Sequence, residues 1–181
     1  LYRGTVSAIE MPGADRMVGG IGGELYIVDN SLDSIVEVTN NFLSIDHVRS
    51  SVSFTLGPNL EALILDGAAV SGEGNDLNNE IIGSDRHNIL NGDGGDDVLR
   101  GRAGNDWLHG GTGSTGADIL DGGTGDDLLD PFVDGAGADE TVRDDGALLA
   151  DPPCPVAGLV FRRGVPPPVV VEHVAGACQI Q

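Results

Sequence analysis

Between Ile81 and Leu129 the apolar positions keep a strict beat. Ile81, Leu90, Leu99, Leu108, Leu120 and Leu129 step by nine, with one step of twelve where Ser114-Thr115-Gly116 is inserted. Each stands at the centre of a three-residue segment, and the six residues before it are rich in glycine and acid: GDGGDD before VLR, GRAGND before WLH, GGTGDD before LLD. A three-residue strand turns one side chain inward, the middle one. The eighth position of every nonapeptide is therefore predicted as core, and the hexapeptides as turns, which their glycines permit. Trp107, at a seventh position, is predicted to point outward. A flexible acidic linker has no reason to keep an aliphatic residue at every ninth position. The last residue of each hexapeptide keeps the same period: Asn79, Asn88, Asp97, Asp106, Asp118 and Asp127.

The beat weakens on both sides. In GADRMVGGIGGELYIVD, Met17 and Tyr26 are nine apart, with Asp15 and Glu24 at the matching sixth positions. Residues 1–30 read as a degenerate repeat segment with Tyr26 in the core; glutamate is longer than aspartate, so the expectation there is an end coil without metal. Residues 31–70 read as a β-rich spacer that stacks on the repeats and caps them, as solenoids require. Ile35–Val38 is a predicted strand. Val48, Ser50, Val52, Phe54 and Leu56 share one face of a predicted period-two strand, and the turn Gly57-Pro58-Asn59 separates it from the run Leu60–Leu65. Ser71–Asp76 reads as a loop, three residues out of frame with the later repeats. Residues 71–145 form the repeat block proper, with Phe132 and Val133 covering its open end. Residues 146–181 share no period with it and hold six of the nine prolines and both cysteines, Cys154 and Cys178. Proline interrupts ladders, so this segment is predicted as an irregular tail.

Charge sharpens the picture. There are 29 acidic residues against nine arginines and no lysine, a net charge of −20. Such a surface disfavours nucleic acid and anionic membranes as partners and attracts cations. Aromatic residues are 4% of the chain, which suits a stack of small aliphatics better than a sandwich. No stretch is long and apolar enough to span a bilayer. The chain begins at Leu1 without a signal-peptide pattern, and the expectation is a fragment of a larger polypeptide, or a protein exported by another route.

The nonapeptide G-G-x-G-x-D-x-U-x, repeated from Gly83 to Asp130, resembles the RTX (haemolysin-type) calcium-binding repeat. The run DHVRSSVSFTLGPNLEALILDG is similar to the non-repeat module that many bacterial RTX proteins carry between repeat blocks. The resemblance implies an all-β fold, a parallel β-roll (β-solenoid), in which two nonapeptides make one coil and every second repeat stacks. Leu99 would then lie between Ile81 and Leu120, and Leu108 between Leu90 and Leu129. The sixth positions would stack as Asn79–Asp97–Asp118 and Asn88–Asp106–Asp127. The resemblance further implies Ca²⁺ between stacked loops, held by these side chains and by carbonyls of Gly92, Gly94, Gly95, Gly101, Ala103, Gly104, Gly110, Thr112, Gly113, Gly122, Thr124 and Gly125. Asn79 and Asn88 lower the charge of their loops, and Ser84 and Arg86 stand where glycine is expected, so calcium there is expected to be weak or absent.

Catalytic signatures are missing. H-E-x-x-H does not occur. Thr112–Gly116 lacks the first glycine of G-x-S-x-G. Asp93-x-Gly95-x-Asp97 lacks the bidentate glutamate of an EF-hand, whose place falls on Gly104. His47, His87, His109 and His173 do not cluster at zinc-ligand spacing. The expectation is a non-enzymatic calcium-binding module of a secreted or surface-exposed bacterial protein, the resemblance implying type I secretion. Two alternatives stand beside it: the accessory module of a secreted metalloprotease, lipase, alginate epimerase or toxin, and a segment of an adhesin or surface layer.

Overall fold

The computed structural model describes residues 13–38, 44–111 and 117–130, together with the backbone of three short later strands. Every regular element among them is a strand. Two parallel sheets face each other. The first is built from β2 (Leu25–Val28), β4 (His47–Ser50), β6 (Ala62–Leu65), β8 (Glu80–Ile82), β10 (Val98–Arg100), β12 (Ile119–Asp121) and β14 (Thr141–Arg143). The second is built from β5 (Phe54–Thr55), β7 (Ser71–Asn75), β9 (Ile89–Asp93), β11 (Trp107–His109) and β13 (Leu128–Asp130). From β4 onward the chain alternates between them, so each circuit adds one strand to each sheet. A separate pair, β1 (Arg16–Val18) and β3 (Ser34–Val36), is also parallel. The fold is an all-strand β-solenoid.

The registers carry the core. Leu99 pairs with Ile81 on one side and Leu120 on the other; Leu108 lies between Leu90 and Leu129. This is the predicted stack. The twelve-residue step leaves it undisturbed, because Leu99 and Leu120 pair directly across it; the inserted Ser114–Gly116 themselves lie outside the described residues. The first column continues upward through Leu63 and Val48 to Tyr26. These side chains, with Val28, Leu60 and Leu65, form one continuous buried cluster. Trp107 points outward as predicted and is half-exposed, in register with Ile89 and Leu128, also exposed.

Leu99→Ala tests the stack. Leu99 is fully buried between two aliphatic neighbours, and parallel ladders leave little room for collapse. We expect a loss of roughly 2–5 kcal/mol, read as a lower denaturant midpoint at saturating calcium. A change below about 1 kcal/mol would mean that the column is not the core.

The structure differs from the sequence reading in two places. Val48 to Leu56 is not one strand. Val48 and Ser50 belong to β4 and Phe54 to β5, in different sheets. All the predicted inward positions do face in, but the chain turns a corner between them, where Ser50 Oγ donates to the Val52 carbonyl at 2.6 Å. Ser71–Asn75 is a strand, not a loop, and Gly72 takes the position opposite Leu90 that an aliphatic residue holds elsewhere. A Cβ on Gly72 would stand 3.0 Å from Leu63 and 3.3 Å from Ile81, so the bulky opposite sheet fills the space. The segment after residue 145 includes two short strands: Leu159–Val160 pairs antiparallel with β14, and Glu172–His173 pairs antiparallel with Leu159–Val160. Its remaining residues, and Phe132 and Val133, lie outside the described residues. The sheet itself runs without a break from β2 to β14, so residues 44–70 form coils of the same stack.

Candidate metal centre

The hexapeptide turns bring their sixth residues inward. Asp97, Asp106 and Asp118 are buried, and Asp127 is partly so. Each uses one oxygen to hold the preceding coil. Asp97 Oδ1 accepts the Asn79 N–H at 2.7 Å, and Asp118 Oδ1 accepts the Asp97 N–H at 2.9 Å. In the other column Asp106 Oδ1 accepts the Asn88 N–H and Asp127 Oδ1 the Asp106 N–H, both at 2.7 Å. The second oxygen of each of these four aspartates is buried and has no hydrogen-bond partner. A buried carboxylate oxygen without a partner is costly, and here it recurs four times in equivalent places.

What those oxygens face is set by the first glycine of each loop. A Cβ on Gly92 would stand 2.3 Å from Asp97 Oδ2 and 2.4 Å from the Gly110 carbonyl oxygen. On Gly101 it would stand 2.3 Å from Asp106 Oδ2 and 2.4 Å from the Gly122 carbonyl oxygen. Only glycine leaves this space, and a carboxylate and a carbonyl of the next coil converge on it. Gly110 and Gly122 stand in the same relation to Asp118 and Asp127. An oxygen-only cradle with net negative charge suits a hard cation, and calcium tolerates irregular oxygen shells. The residues present fit the ion that the sequence implies.

Without a cation these carboxyls resist ionisation. Burial pushes Asp97 up to about 8 and Asp106 up to about 6, with Asp118 and Asp127 adding repulsion. Burial raises Asp118 and Asp127 as well. The folded form therefore binds more protons than the unfolded chain between about pH 4 and pH 8. Stability of the calcium-free roll then falls as pH rises through that window. In EDTA, thermal melts should show more ordered β-structure at pH 5 than at pH 8, and saturating calcium should remove the difference. A calcium-free roll more stable at pH 8 than at pH 5 would contradict this.

The asparagine loops are built differently. Asn79 Oδ1 accepts the Asn75 N–H at 2.7 Å, and its Nδ2 donates to the Leu60 carbonyl at 3.1 Å. Asn88 Oδ1 accepts the Ser84 N–H at 2.7 Å, and its Nδ2 donates to the Ala69 carbonyl at 3.1 Å. The amide group donates to carbonyls of the preceding coil, the part a cation would otherwise play. This is the physical basis for expecting weak calcium there. Asp33, just beyond the degenerate segment, is likewise spent on backbone: it takes the N–H groups of Asp15, Asp29 and Asn30.

Of the other residues implied as ligands, Gly95, Gly104 and Gly125 have φ of 113°, 125° and 141°. They are the turns of their loops. A Cβ on Gly104 would stand 2.6 Å from the Arg86 backbone. Ala103 pairs with Thr124, whose carbonyl accepts the Gly104 N–H at 2.9 Å. The Gly94 N–H donates to the Asn75 carbonyl at 3.0 Å. Thr112 and Gly113 lie outside the described residues. The sequence reading missed a second gathering of acids, Glu24, Glu37 and Asp46. Glu24 and Glu37 are 13 residues apart, off the nonapeptide period, and only Glu24 carried a signal, as a sixth position.

Comparison with known proteins agrees with this geometry. Residues 71–108, 82–115 and 112–130 match the RTX calcium-binding nonapeptide repeat, in four copies. No curated protein and no solved structure matches the chain. No helix among the described residues is long and apolar enough to cross a membrane. Residues 71–130, with their glycine cradles and half-satisfied aspartates, are RTX calcium-binding nonapeptide repeats.

Proposed function

We propose that the chain is a non-catalytic, calcium-folded module of a secreted bacterial protein. The observation that carries this is the set of four buried aspartate oxygens without a protein partner, each beside a glycine that leaves space for an ion. Asp97 with the Gly110 carbonyl, and Asp106 with the Gly122 carbonyl, would be the principal ligands. Calcium outside the cell is abundant and cytosolic calcium is scarce, so the same chain stays threadable inside and folds after export. A net charge of −20 favours cation capture and disfavours nucleic acid.

Equilibrium dialysis of the full chain against calcium tests the reading. We expect at least two ions bound per chain, with affinities in the range of extracellular modules, on the order of 0.1–1 mM. Magnesium at equal concentration should displace little, because it demands a tighter octahedral shell. No bound calcium at 10 mM free ion, on the order of ten times the weaker limit, would overturn it.

A second reading, the accessory module of a secreted enzyme, is favoured by one surface. Ile89, Trp107 and Leu128 are exposed side by side on consecutive strands of the second sheet. An apolar row of this kind suits packing against another domain.

A further inference from the structure

At the end of the stack remote from the repeats, three carboxylates meet, of which only Glu24 stands at the sixth position of a nonapeptide. Glu24 precedes β2, Glu37 follows β3 and Asp46 precedes β4. They are 5%, 6% and 3% exposed. One oxygen from each lies within 4.8 Å of the others. The cluster is held rigidly: the Tyr26 hydroxyl donates to Glu37 Oε2 at 2.6 Å, the Val38 N–H to Glu37 Oε1 at 2.9 Å, and the Glu24 N–H to Asp46 Oδ1 at 2.7 Å. Gly19 closes over it, since a Cβ there would overlap Glu37 Oε2 and the Tyr26 hydroxyl.

Arg49 pairs with Asp66 on the outer face, and His47 engages the Ile45 carbonyl. Glu61 adds a further carboxylate, which takes the Asp46 N–H at 2.9 Å. Glu24 Oε2 is buried and has no partner. Among the described residues it shares that condition with the Oδ2 atoms of the four repeat aspartates. Burial, and then Asp46 and Glu37, push the Glu24 carboxyl up to about 7, against a backbone hydrogen bond from Gly20 that lowers it.

We propose that Glu24, Glu37 and Asp46 form a divalent-cation site of their own, built from side chains drawn from three separate loops rather than from glycine-loop carbonyls. The donors are all hard oxygens, which selects a calcium-like ion over zinc or copper. Oxygens on opposite sides of a calcium ion lie roughly 4.6–5.2 Å apart, and the cluster fits inside that span. Such an ion ties the loops before β2 and β4 and after β3 together, and fastens the first coils independently of the repeats.

The test compares the full-length chain with Glu24→Gln/Glu37→Gln, which keeps shape and removes charge. Dialysis should show one calcium fewer per chain in the double variant, with the repeat sites still filled. In EDTA at pH 8 the double variant should melt no lower than the parent, because a buried repulsion is gone; in 2 mM calcium it should melt lower. A purely structural role lowers both melts, and an unchanged calcium count also overturns the proposal. If the double variant does not fold, terbium luminescence decides. With Trp107→Phe as background, excitation through tyrosine should give terbium emission that Tyr26→Phe largely abolishes. Emission unchanged by Tyr26→Phe would overturn the site. Asp106→Ala/Asp127→Ala should leave this signal intact, which separates the site from the repeat calcium.

Discussion

In EDTA at neutral pH, residues 80–130 should lose their β-structure, and calcium near millimolar should restore it cooperatively. Asp97 and Asp118 stack in one column, Asp106 and Asp127 in the other. Two charges about 6 Å apart cost only roughly 0.7 kcal/mol in water, and several times more where solvent is excluded. The glycines of the turns add ordering entropy, and one aliphatic residue per nonapeptide offsets little of it. At about 2 mM calcium and a Kd of about 0.1 mM, each filled site contributes roughly 1.8 kcal/mol by mass action. Two such sites contribute a large share of the stability of a marginal domain. At micromolar calcium the contribution vanishes. The measurement is circular dichroism titrated with calcium chloride, with Trp107, the sole tryptophan, as a local reporter inside the repeats. In Asp106→Ala/Asp127→Ala the midpoint should move upward or the transition disappear. Equal β-content in EDTA and in 10 mM calcium, on the order of ten times the weakest expected Kd, would end the mechanism.

Gly101→Ala should be nearly as damaging as removing an aspartate. The new methyl group would stand 2.3 Å from Asp106 Oδ2 and 2.4 Å from the Gly122 carbonyl, inside the space both oxygens face. No real side chain sits that close, so either the coils separate or the carboxylate swings away, and both outcomes lose the ion. With one site gone and strain added, the calcium midpoint should rise about tenfold or more, since each 1.4 kcal/mol is a factor of ten. Gly20→Ala is the matched control, because a Cβ there meets nothing within 4 Å. Equal midpoints for the two variants would show that the cradle beside Gly101 is not where the ion sits.

The repeat half of this fold is legible in sequence because every coil there solves the same problem in the same number of residues. Leu63, Ile81 and Leu99 are 18 apart along one column, so the period itself reports the stacking. Higher up, Tyr26 to Val48 takes 22 residues and Val48 to Leu63 takes 15, and no period survives. The corner between β4 and β5 is turned by the Ser50 hydroxyl rather than by glycine, which leaves alternation intact and made Val48–Leu56 look like one strand. The sixth-position aspartates could be picked out, but half of what they do could not. Their bonds to the backbone of the preceding coil span 18 to 21 residues and leave no local trace. Glu24, Glu37 and Asp46 were hidden for the same reason, since only the assembled coils bring them together.

The backbone N–H groups just before successive strands are bonded in one direction. Glu24, Asp46, Asn79, Asn88, Asp97 and Asp106 each donate their N–H to a carboxylate of the coil that follows in the chain. A coil therefore cannot aim its own carboxylate; the coil before it does so. Like a filament with two unequal ends, the solenoid has a growing face and a blocked one. Residues 13–38 and 44–79, with Asn79 and Asp33 spent on the protein itself, would then serve as the seed, and the nonapeptides as subunits added to its exposed face. Removing coils from the C-terminal side shortens such a structure and leaves the remainder in register, whereas removing the seed takes the template from every coil after it.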